Sequence, residues 1–167
     1  MHQFGGGGVR RMARPAAKIV ADIHAFQPTG GTWRRLDDLL GELWATGAAG
    51  RYVPDLMAVL ERFPEDDGAG VLWSVVHGVE SLPGYELELL RSVRRQPSEL
   101  GVTMIGRLLN GRVSQAGGVS QAGGVSLVGL LREVAASATA PQSVRASAAD
   151  WVARHAKPGA AADRGGM

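Results

Sequence analysis

The sequence predicts an all-α fold, with seven or eight short helices in antiparallel pairs forming a HEAT-like α-solenoid or a curled bundle. Three observations carry that expectation. Apolar residues recur at helical spacing in segment after segment. Proline and glycine punctuate those segments, and paired segments return at intervals of roughly thirty residues. No stretch alternates strictly enough for a convincing strand, and no side-chain motif repeats cleanly.

Gly70–Tyr85 (GVLWSVVHGVESLPGY) is the stretch the chain is organised around. At 100° per residue Val71, Leu72, Val75, Val76, Val79 and Leu82 share one broad apolar arc. Ser74, Gly78 and Ser81 form a small-residue arc beside it, so the helix can take close neighbours on both sides. Trp73, His77 and Glu80, at i, i+4 and i+7, form the one decorated strip.

Met1–Arg14 reads as a disordered tail, with glycine at 5 through 8 and no periodicity. Glycine codons resemble a purine-rich ribosome-binding site read in frame, so translation is expected to start at Met12. Pro15–Phe26 is a first helix with Ile19, Val20, Ile23 and Phe26 on its apolar side. Gln27–Gly31 breaks it. Thr32 is then placed as an N-cap before an amphipathic helix carrying Trp33, Leu36, Leu39, Leu40, Leu43 and Trp44. Gly47 or Gly50 ends it. Pro54 suits the first turn of the next helix, whose core side is Leu56, Val59, Leu60 and Phe63. Glu65, Asp66 and Asp67 form an acidic turn whose bland role is to cap the central helix, worth roughly 0.3–1 kcal/mol per carboxylate.

After Leu82-Pro83-Gly84, Tyr85–Arg95 presents Tyr85, Leu89, Leu90 and Val93 inward. Its acids lie early and Arg94 and Arg95 late, matching the helix dipole. Ser98 caps Glu99–Leu109, with Val102, Ile105, Leu108 and Leu109 as core and Asn110-Gly111 as the stop. Residues 113–124 are two copies of VSQAGG. Glycine there costs a helix about 1 kcal/mol each, so 111–125 reads as a duplicated flexible loop. Ser126 caps a helix with Leu127, Leu130, Leu131 and Val134 inward. Pro141 opens the last one, with Val144, Ala148, Trp151 and Val152 packing and His155 at its end. The helical domain is therefore 15–156, and 157–167 is a small-residue tail.

The 167 residues suit one domain with a real core. The absence of cysteine excludes disulfides and thiolate metal sites. The histidines at 2, 24, 77 and 155 have no metal-ligand spacing, so neither a metal nor a cofactor is expected. No apolar run approaches the ~20 residues that span a bilayer. The basic start lacks a clean apolar segment after it, so no membrane association and a cytoplasmic location are expected. The net charge of +2 conceals an uneven distribution. Residues 1–54 carry +3, residues 55–90 carry −7 and residues 91–167 carry +6. An acidic middle favours a basic partner there, although solvated acidic helix ends and loops would look the same.

Catalytic constellations are missing. Ser74 and Ser81 lie on the same helix as His77 with no nucleophile elbow around them. His77 and Glu80 could be a base and its orienter, but no nucleophile or second acid accompanies them. A surface or core-edge pair is the ordinary reading, and the protein is expected not to be an enzyme. The glycine runs lack the GK[ST] ending of a phosphate loop. Arg91, Arg94 and Arg95, with Arg107 nearby, make one basic face, too little for a nucleic-acid interface.

An acidic turn, then VLWSVVHGVESLPGYE, then a helix ending Arg107-Leu108-Leu109-Asn110 resembles the all-helical immunity proteins of bacterial polymorphic toxin systems, of the immunity protein 30 type. His77, Glu80 and Ser81 match that family's His…Glu-Ser helix. Arg107–Asn110 match its Arg-Ile-Leu-Asn ending, with Leu for Ile. The resemblance spans residues 62–110, and the VSQAGG insert departs from the pattern. It implies a non-enzymatic protein that binds a cognate toxin domain and blocks its active surface. The expected toxin-facing residues are Glu65, Asp66, Asp67, Trp73, His77, Glu80, Tyr85 and Glu86, with core packing the competing role for Trp73 and Tyr85. A helical-repeat scaffold joining two proteins is the alternative, followed by a nucleic-acid-binding helical module.

Two measurements check these readings. Intact mass of the natively expressed protein should show a start at Met12, and a species beginning at Met1 contradicts it. Deleting one VSQAGG copy should leave Tm unchanged, because shortening a loop changes closure entropy by only about 0.6 kcal/mol per factor of two in length. A fall of several degrees would mean that the segment is structured.

Overall fold

The computed structural model describes residues 14–115, 121–122 and 125–155. They form eight helices: α1 (Ala16–Ala25), α2 (Arg34–Ala45), α3 (Val53–Arg62), α4 (Val71–Glu80), α5 (Tyr85–Arg95), α6 (Glu99–Gln115), α7 (Leu127–Ala135) and α8 (Gln142–His155). The all-α expectation holds. A 3-10 turn, Ala49–Tyr52, precedes α3. A minimal antiparallel ladder pairs β1 (Gln121–Ala122) with β2 (Val125–Ser126).

The helices pack as two rows. α1, α3, α5 and α7 touch in sequence along one row, and α2, α4, α6 and α8 along the other. Each hairpin, α1–α2, α3–α4, α5–α6 and α7–α8, bridges the rows. Contact is thus with neighbours along a line, which is how helical-repeat proteins bury surface that no single hairpin can bury alone. The core lies between the rows. Leu36, Leu40, Leu56, Leu72, Val75, Leu89, Met104 and Leu131 are all essentially inaccessible.

Different chemistry joins each row. In the odd row the links are polar. His24 Nε2 meets Asp55 Oδ1 at 2.7 Å across α1 and α3. Glu61 of α3 accepts from Arg95 Nη2 at 2.6 Å and Nε at 3.0 Å, and from the Ser92 hydroxyl at 2.7 Å. Those bonds push the Arg95 pKa above its ordinary value. Arg94 and Glu133 approach to 4.0 Å across α5 and α7. In the even row two of the three links are close contacts. A Cβ on Gly78 would lie 2.2 Å from the Trp44 ring, and one on Gly106 would lie 2.3 Å from the Trp151 ring. Glycine at 78 therefore lets α2 and α4 close up, and glycine at 106 does so for α6 and α8.

An aromatic corner closes the first two hairpins. Phe26, Trp33 and Phe63 cluster, with Trp33 and Phe63 edge-to-face at 4.8 Å. Gly68, at φ 64°, slides beneath the Trp33 ring. Arg62 donates to the carbonyl of Ile23 at 3.0 Å and to that of Phe26. It satisfies the exposed carbonyl end of α1 and lies 5.0 Å over the Phe63 ring. Burial lowers the Arg62 pKa.

Several local expectations hold. Ser126 accepts from the Gly129 amide and Ser98 from the Gly101 amide, as N-caps should. Gly47, at φ 68°, follows the end of α2. Others are corrected. Thr32 is not the cap of α2. It pairs with Thr29 across Gly30 and Gly31, both at positive φ, and Trp33 holds the cap position without a side-chain bond. The acidic turn does not cap α4: Gly70 is its N-cap, and the backbone carbonyls of Asp67 and Gly68 receive the first amides. Asn110-Gly111 does not stop α6, which continues to Gln115, so 111–125 is not wholly a loop. The rest of the duplicated segment, 116–120 and 123–124, lies outside the described residues, as do 1–13 and 156–167. Arg14, assigned to the N-terminal tail, is anchored by Asp22 and Glu42.

The even-row contacts are tested by adding one methyl group. Gly78→Ala and Gly106→Ala should each destabilise by up to about 2 kcal/mol, because overpacking costs about 1–3 kcal/mol and the helix-propensity gain returns only about 1. Gly41→Ala is the control. Gly41 sits within α2 with nothing within 4 Å of an added Cβ, so that change should stabilise by up to about 1 kcal/mol. Denaturant midpoints of the three variants check the contrast.

Candidate protein-binding surface

α4 lies in the middle of the even row, between α2 and α6. Leu72, Val75, Val76 and Val79 turn inward and are buried. Gly78 takes the Trp44 ring, which explains one member of the small-residue arc. Ser81 is exposed instead, its hydroxyl donating to the Gly78 carbonyl at 2.6 Å.

The decorated strip divides by role. His77 is exposed, with its ring 5.7 Å from that of Trp73. Trp73 is half-buried against the core. Glu80 does not orient His77. It is largely covered and accepts from Arg107 of α6 at 2.9 Å. Hence the two motifs that prompted the family resemblance, the His77–Ser81 stretch and Arg107–Asn110, meet through one ion pair between neighbouring helices. Its role there is to hold α4 against α6. Removing one partner would leave the other a partly covered charge.

The eight expected contact residues fall into three groups along α4. Glu65, Asp66 and Asp67 lie exposed before its first turn. Trp73, His77 and Glu80 run along it. Tyr85 and Glu86, both half-buried, lie beyond its far end at the start of α5. The ten residues of α4 separate the outer groups by roughly 15 Å. The acids have inward business too. Asp66 Oδ1 accepts from the Gly68 amide at 2.7 Å and shapes the turn. Glu65 accepts from the Ser143 hydroxyl of α8 at 2.6 Å.

Sequence reasoning assigned Trp44 and Trp151 to the core, and the fold makes them half-buried parts of the even row. Trp151 is flanked by its own polar groups: His155 stacks on it at 6.0 Å, and the Arg154 guanidinium lies 4.9 Å from its ring. Three of the four tryptophans are thus half-buried on the even row, whereas Trp33 is buried. A contact with a glycine on another helix cannot be read from helical periodicity, so nothing in the sequence distinguished these rings from ordinary core.

The basic face of α5 is largely neutralised. Arg95 is held by Glu61 and Glu88, and Arg91 approaches Glu88 at 3.4 Å. Arg107 does not extend that face, since it pairs with Glu80. Among the described residues no group of three or more His, Asp or Glu side chains is placed to hold a metal ion, and no helix is long and apolar enough to cross a membrane. The chain matches no family model, no curated protein and no solved structure.

Proposed function

We propose that this protein binds a cognate bacterial toxin domain in the cytoplasm and neutralises it by occluding the toxin's active surface, without chemistry of its own. The observations that support the reading are three half-buried tryptophans on α2, α4 and α8 and an exposed acidic turn just before α4. Rings already seated against neighbouring helices lose little freedom when a partner covers them, which favours tight association. The acidic turn attracts a basic surface and speeds encounter. The family resemblance over residues 62–110 points the same way. The two-row stack also suits the alternative, a scaffold joining two cellular proteins. Gene order separates the two: a toxin-tipped secreted protein encoded next door favours neutralisation, and a housekeeping operon favours the scaffold.

The direct experiment co-expresses this chain with the toxin domain encoded beside it. Wild type should restore growth. Asp66→Asn with Asp67→Lys should slow association about tenfold at low salt and weaken protection, with the difference shrinking as salt rises. Asparagine at 66 can still accept from the Gly68 amide, so the turn keeps its shape. An unchanged on-rate and unchanged protection would remove the acidic turn from the contact surface.

A further inference from the structure

The fourth hairpin, α7–α8, is tied to a part of the stack that is not its neighbour. α8 packs on α6 and α7. Yet its Ser143 hydroxyl donates to Glu65 Oε1 at 2.6 Å, and Glu65 belongs to the turn between α3 and α4. That bond joins residues 78 positions apart and spans the end of the third hairpin. It can do so because only Gln96, Pro97 and Ser98 separate α5 from α6. The chain holds Glu65 in place from both sides. The Pro64 carbonyl accepts from the Glu99 amide at 2.8 Å, and the Asp66 side chain accepts from the Gly68 amide at 2.7 Å. A residue anchored on either side loses little freedom in making one more bond.

α8 lacks such a group of its own. The Arg145 amide donates to the Pro141 carbonyl at 3.0 Å, which puts Pro141 at the cap. Proline has no side-chain acceptor to offer the open amides beyond it, and no acid lies in the first turn of α8. By contrast, α3, α5 and α6 carry first-turn acids: Asp55, then Glu86 and Glu88, then Glu99. Ser143 is the second residue of α8. The carboxylate bound to it therefore stands at the positive end of that helix, where negative charge is favoured.

We infer that Glu65 is a clasp: it supplies from another hairpin the acid that α8 lacks, and so couples the turn between α3 and α4 to the last hairpin. While the bond is made, the fourth hairpin is held against the stack at its turn end. When it breaks, α8 and the turn loosen together. The coupling runs through one hydroxyl and one carboxylate, and it does not depend on the toxin reading.

The test is native-state hydrogen exchange of the full chain, with each substitution read at the far partner, where local helix propensity has no influence. Glu65→Ala should speed exchange in 142–155 about fivefold, the effect expected of a charge-assisted bond discounted for solvent exposure. Ser143→Ala should speed exchange in 65–70 by a similar factor, although alanine is the better helix former within α8. Glu65→Gln should fall between wild type and Glu65→Ala, because its amide oxygen still accepts but carries no charge. The double substitution should do no more than the larger single effect, and α1 and α2 should exchange at the wild-type rate throughout. Unchanged exchange at the far partner, additive effects of the two substitutions, or equal acceleration along the whole chain would each overturn the inference.

Discussion

Two indole rings set the spacing at two of the three crossings of the even row. Trp44 lies where the side chain of residue 78 would be, and Trp151 lies where that of residue 106 would be. Because both positions are glycine, α2 meets α4 and α6 meets α8 without an intervening β-carbon. The cost is two glycines within helices, about 1 kcal/mol each. The return is burial of part of two large aromatic surfaces, each contributing more than that at roughly 25 cal/mol per Å² of apolar area. Packing outweighs propensity here.

The odd row is joined on other terms. Its crossings are ion pairs and hydrogen bonds at partly exposed positions, and exposed pairs contribute at most about 1 kcal/mol each. The Glu61 cluster is the strongest, since two arginine donors and one hydroxyl converge on a largely covered carboxylate. Such links fix register more than they hold the rows together. The stack is therefore seated on the even side by aromatic–glycine contacts at two crossings and the Glu80–Arg107 pair at the third, and aligned on the odd side by charge. Three half-buried tryptophans lie on the even row, and the half-buried Tyr85 begins α5 of the odd row.

Most helices were legible from apolar spacing and from proline and glycine punctuation. Val71–Glu80, Tyr85–Arg95 and the two serine caps at 98 and 126 lie where periodicity and cap chemistry put them. Three local signals misled. Thr32 has the chemistry of a cap, but Gly30 and Gly31 turn the chain so that it pairs with Thr29. Asn110-Gly111 has the chemistry of a stop, yet α6 runs through it. The acids at 65–67 suit a helix start, but the backbone of Asp67 and Gly68 supplies the acceptors. The candidate surface was less legible. Helical spacing groups residues on one helix and says nothing of the helix alongside, so the Glu80–Arg107 pair and both tryptophan seats lay beyond its reach.

The claim that the row is spaced by rings lying on glycines is tested most directly by a double-mutant cycle at Trp44 and Gly78. Leucine at 44 keeps an apolar group at the crossing but removes the ring from above residue 78. In that background the cost of adding a methyl at 78 should fall by at least about 1 kcal/mol, a coupling typical of residues in direct contact. If the two changes are additive, the ring and the glycine do not depend on each other, and the account of the even row is wrong.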